Sequence, residues 1–291
     1  MGVPLALVTG GSAGIGAAFA EELAADGHDL VLVARGPERL AATADALRAR
    51  HGVAVETLRA DLTQPAGRAA VEARLTAAAV PPVDVLVSNA GVQVRGEFLD
   101  ADLERLQTEL DVNVSAVLRM THLALSSMVA RGHGAVVLVS SFAGVLPARG
   151  SAYGASRAWE IALADTLAPA LRGTGARLTV VCPGFVRTAS LRSIPGDAAF
   201  RQRLLLLAPD QVARRALADL RAGRTVSVPG VVYRGVWTWL ELPRRALRAA
   251  ARLTGHSRDR PRGPVTAGPA PVVPEPRRPM GSSPVERQPT P

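Results

Sequence analysis

Leu5-Ala6-Leu7-Val8-Thr9-Gly10-Gly11-Ser12-Ala13-Gly14-Ile15-Gly16 is the stretch on which the fold of this chain turns. A short apolar run passes directly into closely spaced glycines. From Gly14 to Asp26 apolar residues then recur at helical spacing, and Gly27 supplies a stop. The reading is strand, tight turn, helix. Glycines at such a junction let the backbone approach a pyrophosphate, whose charge is met by the exposed N–H groups and dipole of the helix N-terminus. A bare glycine triplet is a weak signal, but its place at the first strand-to-helix junction gives it meaning. Gly10, Ser12, Ala13, Gly14, Ile15 and Gly16 are therefore expected to form a nucleotide-binding turn.

The same alternation continues outward. Leu30 to Ala34 precedes a helix expected from about Pro37 to Arg50, and Val53 to Leu58 precedes one near Pro65 to Ala79. Val83 to Val87, a long helical stretch from Asp102 to Arg131, Ala135 to Val139, a helix from about Tyr153 to Arg172, and Arg177 to Val181 follow. A helix near Pro209 to Arg221 leads to Thr225 to Val228, giving seven strands. Runs of Val, Leu and Ala without polar alternation suit strands buried on both faces. Right-handed crossovers then predict an α/β fold, a doubly wound, Rossmann-like sheet of seven parallel strands.

This domain is expected over residues 1–230, followed by an amphipathic, basic extension over 231–260 and a proline-rich tail over 261–291. Ten of the 31 tail residues are proline, a composition that does not build a packed core and reads as disorder. The extension pairs Trp237, Trp239 and Leu240 with seven arginines against one acid between Arg244 and Arg262. Packing against its own domain or a second subunit and peripheral contact with a membrane surface are all open readings.

Composition excludes several classes of protein. The 291 residues include 34 basic side chains, all of them arginine, against 25 acids. Much of the excess lies beyond residue 243, which weakens nucleic acid as a partner. No run reaches the roughly 18 uncharged apolar residues of a spanning helix. Met1 to Leu5 places no basic residue before its short apolar run, so no signal peptide is expected and the cytoplasm is the default. Cys182 is alone and cannot form an internal disulfide. The five histidines share no spacing of three or four, so no metal site is expected.

Two further groups of residues carry chemistry. At the end of the second strand, where a dinucleotide places its adenosine ribose, an acid would bond the 2′-hydroxyl and exclude a 2′-phosphate. Arg35 stands there, with Arg39 one helical turn later, and a guanidinium fork matches phosphate, so NADP(H) is favoured over NAD(H). Asp61-Leu62 and Asn89-Ala90-Gly91 follow the third and fourth strands, at the carboxyl ends where ligands of such sheets bind. Tyr153 and Arg157 are four apart, which on a helix puts phenol and guanidinium on one face, where a permanent cation favours the phenolate.

With Thr9 to Gly16, Asn89-Ala90-Gly91, Asn113, Ser140-Ser141, Tyr153 to Arg157 and Pro183-Gly184 in this order, residues 3–230 resemble the short-chain dehydrogenase/reductase family. The resemblance implies that Tyr153 transfers a proton, that a serine ending the fifth strand polarises a carbonyl, and that Asn113 holds a water-linked proton path. It implies that Pro183-Gly184-Phe185-Val186-Arg187-Thr188 closes over a nicotinamide, with Val186 and Thr188 near its carboxamide. Ser141 fits the Ser-x-x-Gly pattern, whereas Ser140 has the commoner spacing of 13 to Tyr153; Ser141 is preferred. Arg157 departs from the family's lysine, keeping the charge but not an ammonium proton. The lysine-free composition argues against reading that change as a lesion.

The expected activity is hydride transfer between NADP(H) and a carbonyl or secondary alcohol, with a homo-oligomer implied by the resemblance. The apolar Phe200 to Ala208, in the position of the family's substrate loop, suits a hydrophobic substrate or core packing equally. The rival reading is a nucleotide-binding, catalytically impaired regulatory or membrane-peripheral protein.

Overall fold

In the computed structural model, residues 2–94, 98–146, 152–188 and 205–240 are described. Phe200 to Leu204, the arginine cluster beyond residue 243 and the proline-rich tail lie outside them.

Seven strands form one parallel sheet in the order β3-β2-β1-β4-β5-β6-β7. They are β1 (Leu5–Thr9), β2 (Asp29–Ala34), β3 (Val55–Arg59), β4 (Val85–Ser88), β5 (Gly134–Val139), β6 (Ala176–Val181) and β7 (Val226–Ser227). Side chains of a strand alternate between faces, so a strand buried on both must be apolar throughout. Leu5 and Leu7 accordingly join one core while Ala6 and Val8 join the other. Val136 and Leu138 divide from Val137 and Val139 in the same way. Each fully buried Val or Leu contributes roughly 1.5–3 kcal/mol. At the sheet edge this requirement lapses, and β3 exposes Glu56 and Thr57.

Helices α1 (Gly14–Ala25), α2 (Pro37–His51) and α7 (Pro209–Arg221) cover one face, anchored by Phe19, Leu40 and Leu217. Helices α3 (Pro65–Thr76), α5 (Val117–Arg131) and α6 (Ala152–Ala170) cover the other through Val71, Met120 and Ile161. A further helix, α8 (231–240), adds buried Tyr233 and Trp237 to that second core.

The single long helix expected from Asp102 to Arg131 is interrupted. Helix α4 (Leu103–Leu110), capped by the Asp102 carboxylate accepting from the Arg105 N–H at 2.9 Å, runs into a π-helical turn at Asp111–Ala116 before α5 begins. Such bulges tend to mark functional positions, and this one carries Asn113. The strand order reverses between β1 and β4, so a crevice opens at the carboxyl ends of these strands.

Candidate active site

The crevice at this switch point is a cleft of about 440 Å³. Its floor is the turn after β1. Gly10 and Gly14 take positive φ of 68° and 55°, and a Cβ on Gly16 would stand 2.3 Å from the Gly10 carbonyl oxygen. Only glycine permits that close packing of helix on turn. Gly10, Ser12, Ala13, Gly14 and Ile15 line the cleft, whereas Gly16 supports it from behind.

Thr9, the first residue of the glycine motif, ties the floor to the opposite wall. Its hydroxyl oxygen accepts from the Asn89 and Ala90 N–H groups at 2.9 and 3.0 Å, and the Asn89 amide donates to the Thr9 carbonyl at 2.9 Å. Asn89, Ala90 and Gly91 thereby reach the cleft. Arg35 and Arg39 line its far end, and among the described residues no carboxylate pairs with either guanidinium. Asp61 and Leu62 form the adjoining wall, with the Asp61 carboxylate accepting from the Thr63 N–H and hydroxyl at 3.0 and 2.9 Å. The turn, the facing walls and the two arginines fit a phosphate-bearing dinucleotide.

Tyr153 and Arg157 enter the cleft from α6. The guanidinium carbon lies 4.9 Å from the Tyr153 ring centroid, within cation–π range. The Arg157 side chain is only 5% exposed, and one of its terminal N–H groups donates to the Glu160 carboxylate at 2.7 Å and to the Val139 carbonyl at 3.2 Å. The other donates to the Asn113 side-chain oxygen at 3.4 Å. Burial alone would make the guanidinium less basic, but the Glu160 carboxylate and the Tyr153 hydroxyl oppose it and move its pKa upward. Arg157 is therefore a fixed cation. A Cβ on Gly91 would stand 2.0 Å from its terminal nitrogen, so this glycine leaves the guanidinium its space.

Asn113 sits behind the cleft wall. Its amide donates to the Val92 carbonyl at 2.8 Å and to the Ser156 hydroxyl oxygen at 3.2 Å, and its oxygen accepts the Val92 N–H at 3.0 Å. The π-helical turn thus uses Asn113 as a two-way clamp on the loop after β4.

The two serines part company. Ser140, buried and on the cleft wall, donates its hydroxyl to the Arg157 carbonyl at 2.8 Å. Ser141 is less buried, and its hydroxyl oxygen accepts the Ala143 N–H at 3.1 Å, capping the short helical turn Phe142–Gly144. Ser141 does not line the cleft itself.

The segment after β6 divides similarly. Thr188 lines the cleft beside Gly14, whereas Val186 turns into the core and pairs with Leu207. Pro183 and Gly184 do not reach the cleft: the Pro183 carbonyl accepts the Phe142 N–H at 2.9 Å, and Gly184 lies under the Tyr233 ring, 1.9 Å from where a Cβ would be. Leu205 and Leu207 pack against the core, which is the structural reading of that part of the leucine run.

Sequence reasoning missed Glu160, Glu109 and Tyr233. Glu160 carried a legible signal, an acid three residues after Arg157 on a helix. Burial drives its carboxyl up to about 7, against the lowering influence of Arg157 and Ser140. Glu109, also buried, accepts the Val94 N–H at 2.6 Å, and desolvation raises its pKa despite that bond and the Arg157 charge. Tyr233 accepts from the Phe185 N–H at 3.0 Å and donates to the Leu205 carbonyl at 3.2 Å; no local motif announces it.

A doubly wound sheet with a glycine turn, an Asn-Ala-Gly wall and a buried Tyr–Arg couple in one cleft defines a nucleotide-binding oxidoreductase. The chain belongs to the short chain dehydrogenase family, whose model matches residues 4–198. The ketoacyl reductase HetN of a Nostoc species is 36% identical over 181 residues, a match spanning 62% of this chain and 62% of that protein. A short-chain dehydrogenase from Sphingobium yanoikuyae, solved in complex with NADPH, is 34% identical with a TM-score of 0.75, covering 85% of this chain and 96% of that one. A bulky-bulky ketone specific alcohol dehydrogenase from Comamonas testosteroni is 28% identical with a TM-score of 0.74, covering 86% and 95%. Among the described residues no helix is long and apolar enough to cross a membrane, and no cluster of metal-ligating side chains occurs.

Proposed function

We propose that the chain is an NADP(H)-dependent oxidoreductase that interconverts a carbonyl and a secondary alcohol. The observation that carries this reading is the Tyr153–Arg157 couple opening into the cleft that holds the glycine turn and the two arginines. The NADPH complex of the Sphingobium relative and the ketone specificity of the Comamonas relative support it.

The turn from Gly10 to Gly16 would hold the pyrophosphate, Arg35 and Arg39 a 2′-phosphate, and Asp61 and Leu62 the adenine. When bound, the nicotinamide supplies the hydride. Tyr153 gives its hydroxyl proton to the substrate oxygen in reduction and takes it back in oxidation. Ser141 turns its hydroxyl hydrogen toward that oxygen, because its own oxygen is occupied as the acceptor of the Ala143 N–H. Arg157 favours the phenolate by its charge and reaches for the ribose, while Asn113 keeps the Val92 loop and the guanidinium in register. Thr188, beside Gly14, borders the nicotinamide end. Pro183, Gly184 and Val186 shape its backbone from behind, Gly184 against Tyr233 and Val186 in the core.

The test is loss of reduced-nicotinamide absorbance with NADPH and a panel of aldehydes, ketones and quinones. Consumption is expected, with Tyr153→Phe binding NADPH but turning over at least about 100-fold more slowly. Binding without turnover across the panel would replace this reading with the impaired, regulatory one.

Leu103, Leu110 and Leu118, exposed along α4 and α5, support a homo-oligomer, which size-exclusion chromatography checks. Val232, Val236 and Trp239 expose an apolar stripe on α8 just before the arginine-rich sequence, and this favours peripheral contact with an anionic membrane. Sedimentation with anionic liposomes, comparing the full chain with one ending at Gly230, separates the two outcomes.

A further inference from the structure

We propose that Glu160 is a positioning residue for the reaction: it fixes the Arg157 guanidinium beneath Tyr153 and sets the net charge that the phenol meets. The inference rests on the reading of Tyr153 as the proton-transfer residue.

Three observations converge on this role. The pair is buried as a unit, with the Arg157 and Glu160 side chains 5% and 2% exposed and their nearest N and O atoms 2.7 Å apart. A lone guanidinium withdrawn from water to this extent is strongly disfavoured, and a carboxylate one turn away on the same helix offsets that penalty. The bond to Glu160 also orients the fork. With one terminal nitrogen held by Glu160 and the Val139 carbonyl, the other is directed at Asn113, and the guanidinium carbon comes to 4.9 Å from the Tyr153 ring.

The chemistry of arginine gives the third argument. A lysine at position 157 could change its charge near neutrality when buried, but a guanidinium cannot. Any variation in charge beneath Tyr153 must then come from the groups around Arg157. Among the described residues these are Tyr153 itself and Glu160 on α6 and Glu109 on α4, with Ser140 from the end of β5 and Asn113 from the π-helical turn as neutral polar neighbours. Glu160 alone makes a direct ion pair with the guanidinium. Ionised, it cancels the positive charge; protonated, it leaves it whole. The burial that brings its pKa to about 7 places that change within the working range of an enzyme.

Glu160→Gln separates charge from geometry, since the amide oxygen can still accept from Arg157. With the cation no longer cancelled, the phenolate is favoured. The pH at which alcohol oxidation reaches half its maximal kcat/KM should fall by about one unit relative to the wild type. An unshifted profile in a variant that folds and binds NADPH like the wild type overturns the proposal, as does the same shift in Glu109→Gln instead. A second measurement needs neither cofactor nor turnover. In the cofactor-free protein labelled with carbon-13 at glutamate carboxyls, one resonance should titrate near neutrality and vanish in Glu160→Gln. Its absence from the wild type overturns the charge-setting role. If the wild type reduces nothing in the panel while this resonance titrates as expected, the fault lies with the assigned activity and not with Glu160.

Discussion

Ser140 donates its hydroxyl to the backbone carbonyl of Arg157 at 2.8 Å, tying the end of β5 to the first turns of α6. That bond engages the Ser140 hydroxyl among the groups behind the cleft, beside Arg157 and Glu160, whereas the oxygen of the neighbouring Ser141 accepts the Ala143 N–H. The two substitutions should therefore fail differently. Ser141→Ala should lower kcat by about 100-fold or more, as loss of one donor to a developing oxyanion does, and should also cost about 1 kcal/mol for the lost cap of the Phe142–Gly144 turn. Ser140→Ala should largely keep turnover and destabilise the fold by about 0.5–1.5 kcal/mol, the net worth of one buried hydrogen bond, because the Arg157 carbonyl keeps its place in the α6 ladder. Turnover measured beside urea denaturation distinguishes them, and the reverse pattern would move the carbonyl-binding role to Ser140.

Arg157 carries both charge and geometry. Arg157→Lys keeps the charge and should retain turnover, but a single ammonium cannot serve Glu160, Val139 and Asn113 together. A stability loss of about 1.5–3 kcal/mol is expected, the size of one charge-assisted hydrogen bond. Arg157→Leu removes the cation that holds the Glu160 pKa down, so Glu160 takes up a proton near neutrality, and the variant should lose turnover and about 1–3 kcal/mol for the hydrogen-bond partners left behind. Denaturation curves and initial rates on the same preparations check both.

Gly16→Ala places a methyl 2.3 Å from the Gly10 carbonyl oxygen and 2.5 Å from the Asn89 amide nitrogen. The turn must open to admit it. NADPH affinity, followed by fluorescence, should fall by at least about tenfold, equivalent to about 1.4 kcal/mol. Gly235→Ala, where a Cβ meets nothing within 4 Å and which does not line the cleft, should bind normally.

Arg35 and Arg39 predict cofactor choice. Arg35→Asp should raise the KM for NADPH strongly and that for NADH little, because a carboxylate repels a 2′-phosphate and can bond a 2′-hydroxyl. Equal changes for both cofactors would remove Arg35 from that role.

Stability should also report on Glu160. Its folded pKa of about 7 lies above the ordinary 4.5, so the folded state holds this proton more tightly than the unfolded state. The resulting stabilisation is full below about 4.5 and is lost as pH rises through about 7, up to roughly 3 kcal/mol for such a shift. Glu160→Gln removes this dependence. The stability of the wild type minus that of the variant should fall with rising pH over this interval and level off above it, as read from urea denaturation at several pH values.

Much of this protein is legible from short stretches of chain. Apolar runs such as Leu30 to Ala34 specify strands buried on both faces, because side chains alternate and both sides must be covered. The glycine turn is legible because its chemistry is local: close backbone approach at a helix start needs those residues at that spacing. Tyr153 and Arg157 share a face because four residues make about one helical turn. Arg35 is legible once β2 is recognised, since its place at the strand end follows from the topology.

What tertiary structure alone decided depends on residues far apart in the chain. The break in the helix from Asp102 to Arg131 arises where Asn113 bonds both polar groups of Val92, a contact between separate segments that periodicity does not encode. Val186 turns its side chain into the core, and Gly184 serves Tyr233 from 49 residues away. The sequence by itself determined the layered sheet and the identity of the cleft, because hydrophobic periodicity and backbone stereochemistry act locally. Only the folded molecule decided which serine hydroxyl is committed, what surrounds Arg157 and how far Glu160 is removed from water, because burial and hydrogen bonding are set by every element that closes around a group.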